Sequence, residues 1–371
     1  MSAAHRPPPP PPPPPPVAPP NRPSDGLRGI DPPRLTPPGG GRGRLRFAMP
    51  RPVPPGLWRH VPPAIFPPVL GGLGLALGWL AGVGAFALPL GLAQLLAGMI
   101  AALAAFGLVA YAGKLIRRPP VLAEELRTLP GRAGVAAAVL SVYLLAAVIG
   151  AIGSLAWGRA LLVAGMALHA GFLMVLIGVF RSGPPEQRRV TPAFHLSFTG
   201  VIVAARAALV LDWPGLAGTL IWPAAVAVIL IYAASARQFL AGPPPAPLRP
   251  LLAIHLAPMA LLATVALGLG WTAAGSVMAW AALAMAVALA ASARWLLAAG
   301  FSPFWGALTF PLAATAGAWV TLWRVTGDEP HRLLAGLLLA AATLVVLPVL
   351  ALVWRDWARG RLPVRTHAAT A

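Results

Sequence analysis

The sequence predicts an all-α integral membrane protein with ten transmembrane helices. Three observations carry that reading. Of the 371 residues, 58% are hydrophobic and only 10% are charged, whereas a soluble domain is about half apolar and about a quarter charged. Uninterrupted apolar runs of the length a bilayer demands, about 20 residues each, recur ten times after Pro62. Basic residues gather in alternate links between those runs, which is how cytoplasmic loops are marked.

Taken in order, residues 1–60 form a Pro- and Arg-rich tail that opens with the proline run Pro7 to Pro16. Proline offers no amide donor and this stretch has almost nothing to bury, so a disordered, partly polyproline-II cytoplasmic segment is expected. No cleavable signal peptide is readable ahead of the first apolar run. Residues 61–357 read as one membrane domain and 358–371 as a short cytoplasmic tail.

Backbone groups in hydrocarbon must be bonded within their own segment, so each apolar run is read as a helix. The first, 63–83, carries Pro67, Pro68 and the glycines Gly71, Gly72 and Gly74, which suit close helix packing. The second, 88–115, runs into Lys114, Arg117 and Arg118; the third, 133–153, follows Arg127 and Arg132. The fourth, 159–181, ends on Arg181 ahead of Arg188 and Arg189. The fifth, 191–211, holds Pro192 and Gly200, and the sixth, 216–238, ends at Arg237. The seventh, 250–271, contains Pro258; the eighth, 274–297, ends by Arg294. The ninth, 303–324, holds Pro303 and Pro311, and the tenth, 331–354, follows the one charged outer link, with Arg324, Asp328, Glu329 and Arg332.

Basic inner links and short outer links divide the spans into five antiparallel hairpins, with both chain termini cytoplasmic. Repetition of one unit suggests a quasi-five-fold ring. Helix-disturbing residues concentrate in the odd spans. Proline removes a backbone donor, and membrane helices tolerate it where neighbours or a cavity restore the bonding. The odd helices are therefore expected inside, around a central pore, and the even ones outside against lipid.

The formal charge of +19, from 28 Lys and Arg against 9 Asp and Glu, would raise nucleic acid as a partner in a soluble protein. Here the basic residues sit in the tail and in the inner links, where they orient the chain and meet anionic headgroups; the lipid bilayer is the expected partner and nucleic acid is not. Cysteine is absent, which removes thiolate metal sites and cysteine nucleophiles. No Asp or Glu lies inside a span, so paired carboxylates, an acidic metal cluster and an acidic proton relay are missing from the membrane interior. The chain is not expected to be an enzyme. A conduit without buried negative charge suits anions.

His169, His195 and His255 fall in three different spans without a close-spaced partner, which argues against haem or metal ligation; no cofactor is expected. His195 and His255 lie near the cytoplasmic ends of two inner helices, where they either line a vestibule or make interhelical hydrogen bonds. Arg206 is the only basic residue well inside an inner span. It either faces the conduit or snorkels to headgroups.

Five stretches, in order, resemble the tellurite-resistance/dicarboxylate transporter family, which includes bacterial relatives of the plant slow anion channels. They are Pro63-Ala64-Ile65-Phe66-Pro67-Pro68 and the glycines after it; Lys114-Leu115-Ile116-Arg117 with Leu122-Ala123-Glu124-Glu125; Thr191-Pro192-Ala193-Phe194; Ile254-His255-Leu256-Ala257-Pro258; and Trp305-Gly306-Ala307-Leu308-Thr309-Phe310-Pro311. The resemblance implies five helical hairpins, a homotrimer with one conduit per protomer, and a pore gate at Phe310, which by itself would read as a core or lipid-facing aromatic. Leu129-Pro130, Pro67 and Leu308 depart from the family's usual residues, which bears on pore width and selectivity.

The expected function is transport of small inorganic or organic anions through a Phe310-gated pore in the cell membrane. Phe66, Pro67, His195, Gly200, Arg206, His255, Pro258 and Pro311 are the expected pore-lining residues. The alternatives are a secondary carrier for C4-dicarboxylate or tellurite-type oxyanions and a membrane redox protein using the histidines.

Overall fold

The computed structural model describes residues 57–371, and among them every regular element is helical. Most of the expected 1–60 tail lies outside the described residues. The principal helices are α1 (Phe66–Phe86), α2 (Leu90–Arg117), α3 (Val121–Leu126), α4 (Leu129–Ile152), α5 (Leu155–Ser182), α6 (Phe194–Phe198), α7 (Val201–Val210) and α8 (Pro214–Ala241). They continue with α9 (Leu256–Gly268), α10 (Thr272–Ala291), α11 (Ala293–Leu296), α12 (Gly306–Thr326), α13 (Glu329–Ala358) and α14 (Arg361–Arg365). Eight apolar helical stretches in this set are long enough to cross a membrane.

Helical structure covers each of the ten expected spans, with differences that have local causes. The fifth is broken into α6 and α7 at Thr199 and Gly200. Thr199 Oγ1 donates back to the His195 carbonyl at 2.7 Å, which bends helices. Gly200 lets the break nest tightly: a Cβ there would lie 2.5 Å from the Leu196 carbonyl oxygen and 2.9 Å from His169. The seventh begins as a 3-10 helix over Ala246–His255 before α9, because Pro247 and Pro250 withdraw amide donors from an α ladder. The third starts earlier than expected, at Leu129, since Thr128 Oγ1 accepts from the Gly131 amide at 3.1 Å and caps the helix. The ninth, α12, is the one α-helix of 18 or more described residues that falls outside those eight apolar stretches. Thr309, Thr315 and Thr321 dilute it, each donating its hydroxyl back to a carbonyl one turn earlier, at 2.7–2.8 Å.

Two- or three-residue links join α1 to α2, α4 to α5, α7 to α8, α9 to α10 and α12 to α13, and each of these pairs packs together. Links this short force antiparallel neighbours. Among the first members, α1 packs on α4, α4 on α7, α7 on α9, α9 on α12, and α12 back on α1.

Burial divides the two sets. Every residue of α4 from Gly131 to Val148 is buried, and α12 is buried almost throughout. The second members bury one stripe each: on α8 only Ala217, Ile221, Ala224, Val228 and Ile231, the spacing of one helix face. Their other faces expose Ile229, Val277 and Leu344, an apolar surface that water would not tolerate and lipid would.

At the end of the bundle where the first members start, the completely buried Lys114 donates to the Val61 carbonyl at 2.8 Å and forms an ion pair with Glu125, which also accepts from Tyr111. Burial raises the Glu125 carboxyl above the usual range, and Lys114 acts against it. Arg118 donates to the Thr370 carbonyl at 2.7 Å, and the Ala371 amide to that of Arg59 at 3.1 Å, which brings the last residues onto this same end. At the opposite end Arg332 pairs with Glu329, and Arg159 holds the Leu211 and Asp212 carbonyls.

Candidate functional site

The starting ends of α1, α4, α6, α9 and α12 surround a cavity of about 260 Å³, with Pro67 and Leu70, Ala133, Leu196, Ala257, and Phe310 and Pro311 in its wall. A space bounded by all five inner segments lies on their common axis. The Phe310 side chain, only 4% exposed, lies in this wall. Beyond lies a much smaller space of about 20 Å³, bounded by Leu140, His195, Gly200, Val203, Pro258 and again Phe310. Leu196, Ile254, Ala257 and Phe310 border both spaces, so these four side chains form the partition between them.

Phe310 is placed there by the contact of α12 with α1. Thr309 Oγ1 reaches the Pro67 carbonyl at 3.1 Å, and Gly71 lies against Thr309 so closely that any Cβ would collide with it. One turn on, Gly74 faces the phenyl ring: a Cβ there would stand 3.2 Å from Cδ2 and Cε2 of Phe310 and 3.3 Å from Ala313 Cβ. The ring is thus fitted against backbone, with a missing side chain making the room.

Among the described residues no acidic side chain lines either space. The one charged residue at the large cavity is Arg365, at its mouth, where Asp356 holds it at 2.7 Å. The inner helices also begin here, and the first turn of a helix presents unbonded amides with the positive end of its dipole. An apolar vestibule ringed by helix N-termini and free of carboxylates favours an anion over a cation.

The other residues singled out from the sequence separate into groups. Pro67 and Pro311 line the large cavity; His195, Gly200 and Pro258 line the small one. His255 lines a different, lateral cavity of about 700 Å³ beside Tyr232 and Pro192. Its Nδ1 lies 3.0 Å from His195 Nε2, and Tyr232 donates to its carbonyl at 2.5 Å. Phe66 is turned away from the axis, edge-on to Tyr111 of α2 at 5.6 Å between ring centres, and borders none of these cavities. Arg206 does not reach an end of the bundle; it is buried. His169 is an interhelical link: its Nε2 lies 2.8 Å from the Ser197 carbonyl, so Nε2 donates and Nδ1 accepts from Tyr143 at 3.0 Å.

Sequence reasoning did not find Leu196, Ile254 and Ala257. They are ordinary apolar residues; each lies within four residues of a helix irregularity on an inner segment, and Ile254 and Ala257 also stand in one of the five stretches that carry the family resemblance. It also missed Arg365 and Thr366, which the fold returns to the cavity mouth.

A family model described as voltage-dependent anion channel matches residues 60–354. No curated protein matches the chain.

Proposed function

Because the chain belongs to the voltage-dependent anion channel family, we propose that it conducts small anions passively across the cell membrane, through a path closed at Phe310. On this reading ten spans, paired as five hairpins, cross the bilayer as a ring, with α6 and α7 together making one span and α12 another. On the same reading the basic end, with the large cavity, faces the cytoplasm and both chain termini lie on that side of the membrane, which the distribution of arginines supports. Protomers assemble as a homotrimer with one conduit each.

One observation supports the proposal: Phe310 borders both spaces, and among the described residues neither is lined by a carboxylate. A phenyl ring across a narrow apolar path expels water, and an ion cannot follow until the ring turns aside, so side-chain motion is enough to gate. The path offers diffuse positive potential from helix ends and no acidic relay, which suits conduction down a gradient better than proton-coupled exchange.

The test is anion efflux from liposomes containing purified protein, driven by a valinomycin-clamped potential. Wild type is expected to pass chloride or nitrate slowly and Phe310→Ala at least tenfold faster. Background flux from both proteins would refute the proposal. Saturable counterflow of a C4-dicarboxylate or a tellurite-type oxyanion, without electrogenic leak, would replace it with a carrier.

A further inference from the structure

Arg206 lies on α7, a helix that packs on α4, α5, α8 and α9. Its guanidinium does not stay among those neighbours. Nη2 reaches α12, coming so near Gly317 that a Cβ at that glycine would stand 3.0 Å from it. In the closed order α1, α4, α7, α9, α12, helices α7 and α12 are not adjacent, so a side chain running from one to the other crosses the interior.

Position along α12 connects this crossing with the partition. Gly317 is seven residues beyond Phe310, which at about 100° per residue returns to the same face and at 1.5 Å per residue lies about 10 Å further along. The face that carries the phenyl ring into the axis therefore carries, two turns on, a residue with no side chain. The guanidinium occupies the room this leaves.

The group is buried, with 5% exposure, and its Nη1 has no hydrogen-bond partner. None of the ion pairs among the described residues includes it. A guanidinium keeps its proton in proteins, and an unpaired charge in an apolar interior is among the costliest arrangements a fold can hold. A residue needed only to tie α7 to α12 would end on carbonyls or a carboxylate. Here the far side is a glycine.

We propose that Arg206 is an internal anion-binding site, in which one small monovalent anion sits against the guanidinium, on the path closed by Phe310 and about two helical turns beyond it. This rests on the conduit reading and adds to it a point of residence. The fork of N–H donors suits an anion able to accept two parallel hydrogen bonds. With the anion seated, the charge is neutralised; with it absent, the crossing side chain repels cations and narrows the path.

The test reads binding rather than flux, so it stands or falls apart from the gate. Thermal unfolding of the purified protein in detergent is followed as sodium gluconate is replaced by sodium nitrate, and separately by sodium chloride, at constant ionic strength. Wild type is expected to gain several degrees in Tm, saturating with anion concentration, because a ligand held only by the folded state stabilises it. Arg206→Met should abolish that gain while its gluconate Tm equals or exceeds that of wild type, and Arg206→Lys should keep a gain with at least threefold weaker half-saturation. No anion-dependent gain in wild type, or an undiminished one in Arg206→Met, would overturn the proposal. If Arg206→Met does not fold, an unchanged half-saturation in Arg206→Lys would overturn it equally.

Discussion

Gly74→Ala is the sharpest probe of the partition, because it adds one methyl group directly against the ring. That methyl would stand 3.2 Å from two carbons of Phe310 and 3.3 Å from Ala313 Cβ, short of the 3.5–4.0 Å at which carbon atoms are at rest. The ring has to move by a few tenths of an ångström within a packed wall, and overpacking of this kind costs about 1–3 kcal/mol. The part of the strain borne by the ring, as distinct from that against Ala313, exists only while the ring holds this position. If turning it aside relieves about 1.4 kcal/mol, the closed-to-open ratio shifts about tenfold toward open. The assay is chloride efflux from liposomes together with the melting temperature in detergent. Gly78→Ala, on the same helix, is the control: its methyl would meet Leu339 Cδ1 of α13 at 3.2 Å, away from the ring, and should cost stability without raising flux. If both variants lose stability alike and neither conducts faster than wild type, Phe310 is packed as core and the gate argument fails.

Three further outcomes follow from the packing. Lys114→Met or Glu125→Leu alone should lose about 3–5 kcal/mol of stability by stranding a buried charge, and the double variant should recover most of it in thermal unfolding; additive losses would show that the two residues do not act as a pair. Val228→Ala, on the buried stripe of α8, should lower the melting temperature by the equivalent of about 1–3 kcal/mol, while Ile229→Ala, one residue on and 65% exposed, should change it little; equal effects would contradict the assignment of inner and lipid-facing sides. Gly71→Ala forces a methyl into Thr309 and towards the Phe310 amide, 2.9 Å away, and should separate α1 from α12, measured as loss of folded protein on size exclusion.

Much of this architecture was legible because membrane helices obey one-dimensional rules. Length, hydropathy and arginine placement located ten helical stretches, and proline distribution pointed to the more buried set. What stayed hidden was three-dimensional register. By side-chain type nothing distinguishes Leu196, Ile254 or Ala257 from dozens of similar residues, although the last two stand in a stretch that carries the family resemblance; they matter because Gly200, Pro250 and Pro258 lie where their segments are irregular. Phe66 illustrates the converse. It lies on an inner span and was expected to line the pore, but successive residues on a helix are turned about 100° apart, and Phe66 faces Tyr111 of α2 instead. Arg206 could be placed inside a span from sequence, but its reach to Gly317 depends on two helices distant in the chain sharing one interior.

The irregular starts of the inner segments have a mechanical consequence. Pro63–Ile65, Ala246–His255 and Pro303–Trp305 are 3-10 turns, and α6 is severed from α7, whereas the far halves of α1, α4, α9 and α12 are continuous α-helix. Runs of 3-10 helix beyond three or four residues are uncommon and hold poorer hydrogen bonds, so the ten-residue run before α9 is an uneconomical way to lead into a span. The bundle is consequently stiff at one end and compliant at the other, and the wall residues Ile254 and Ala257 sit where the compliance ends. Re-registering that run from about 2.0 to 1.5 Å per residue would draw it in by about 5 Å, a travel comparable to the width of a phenyl ring.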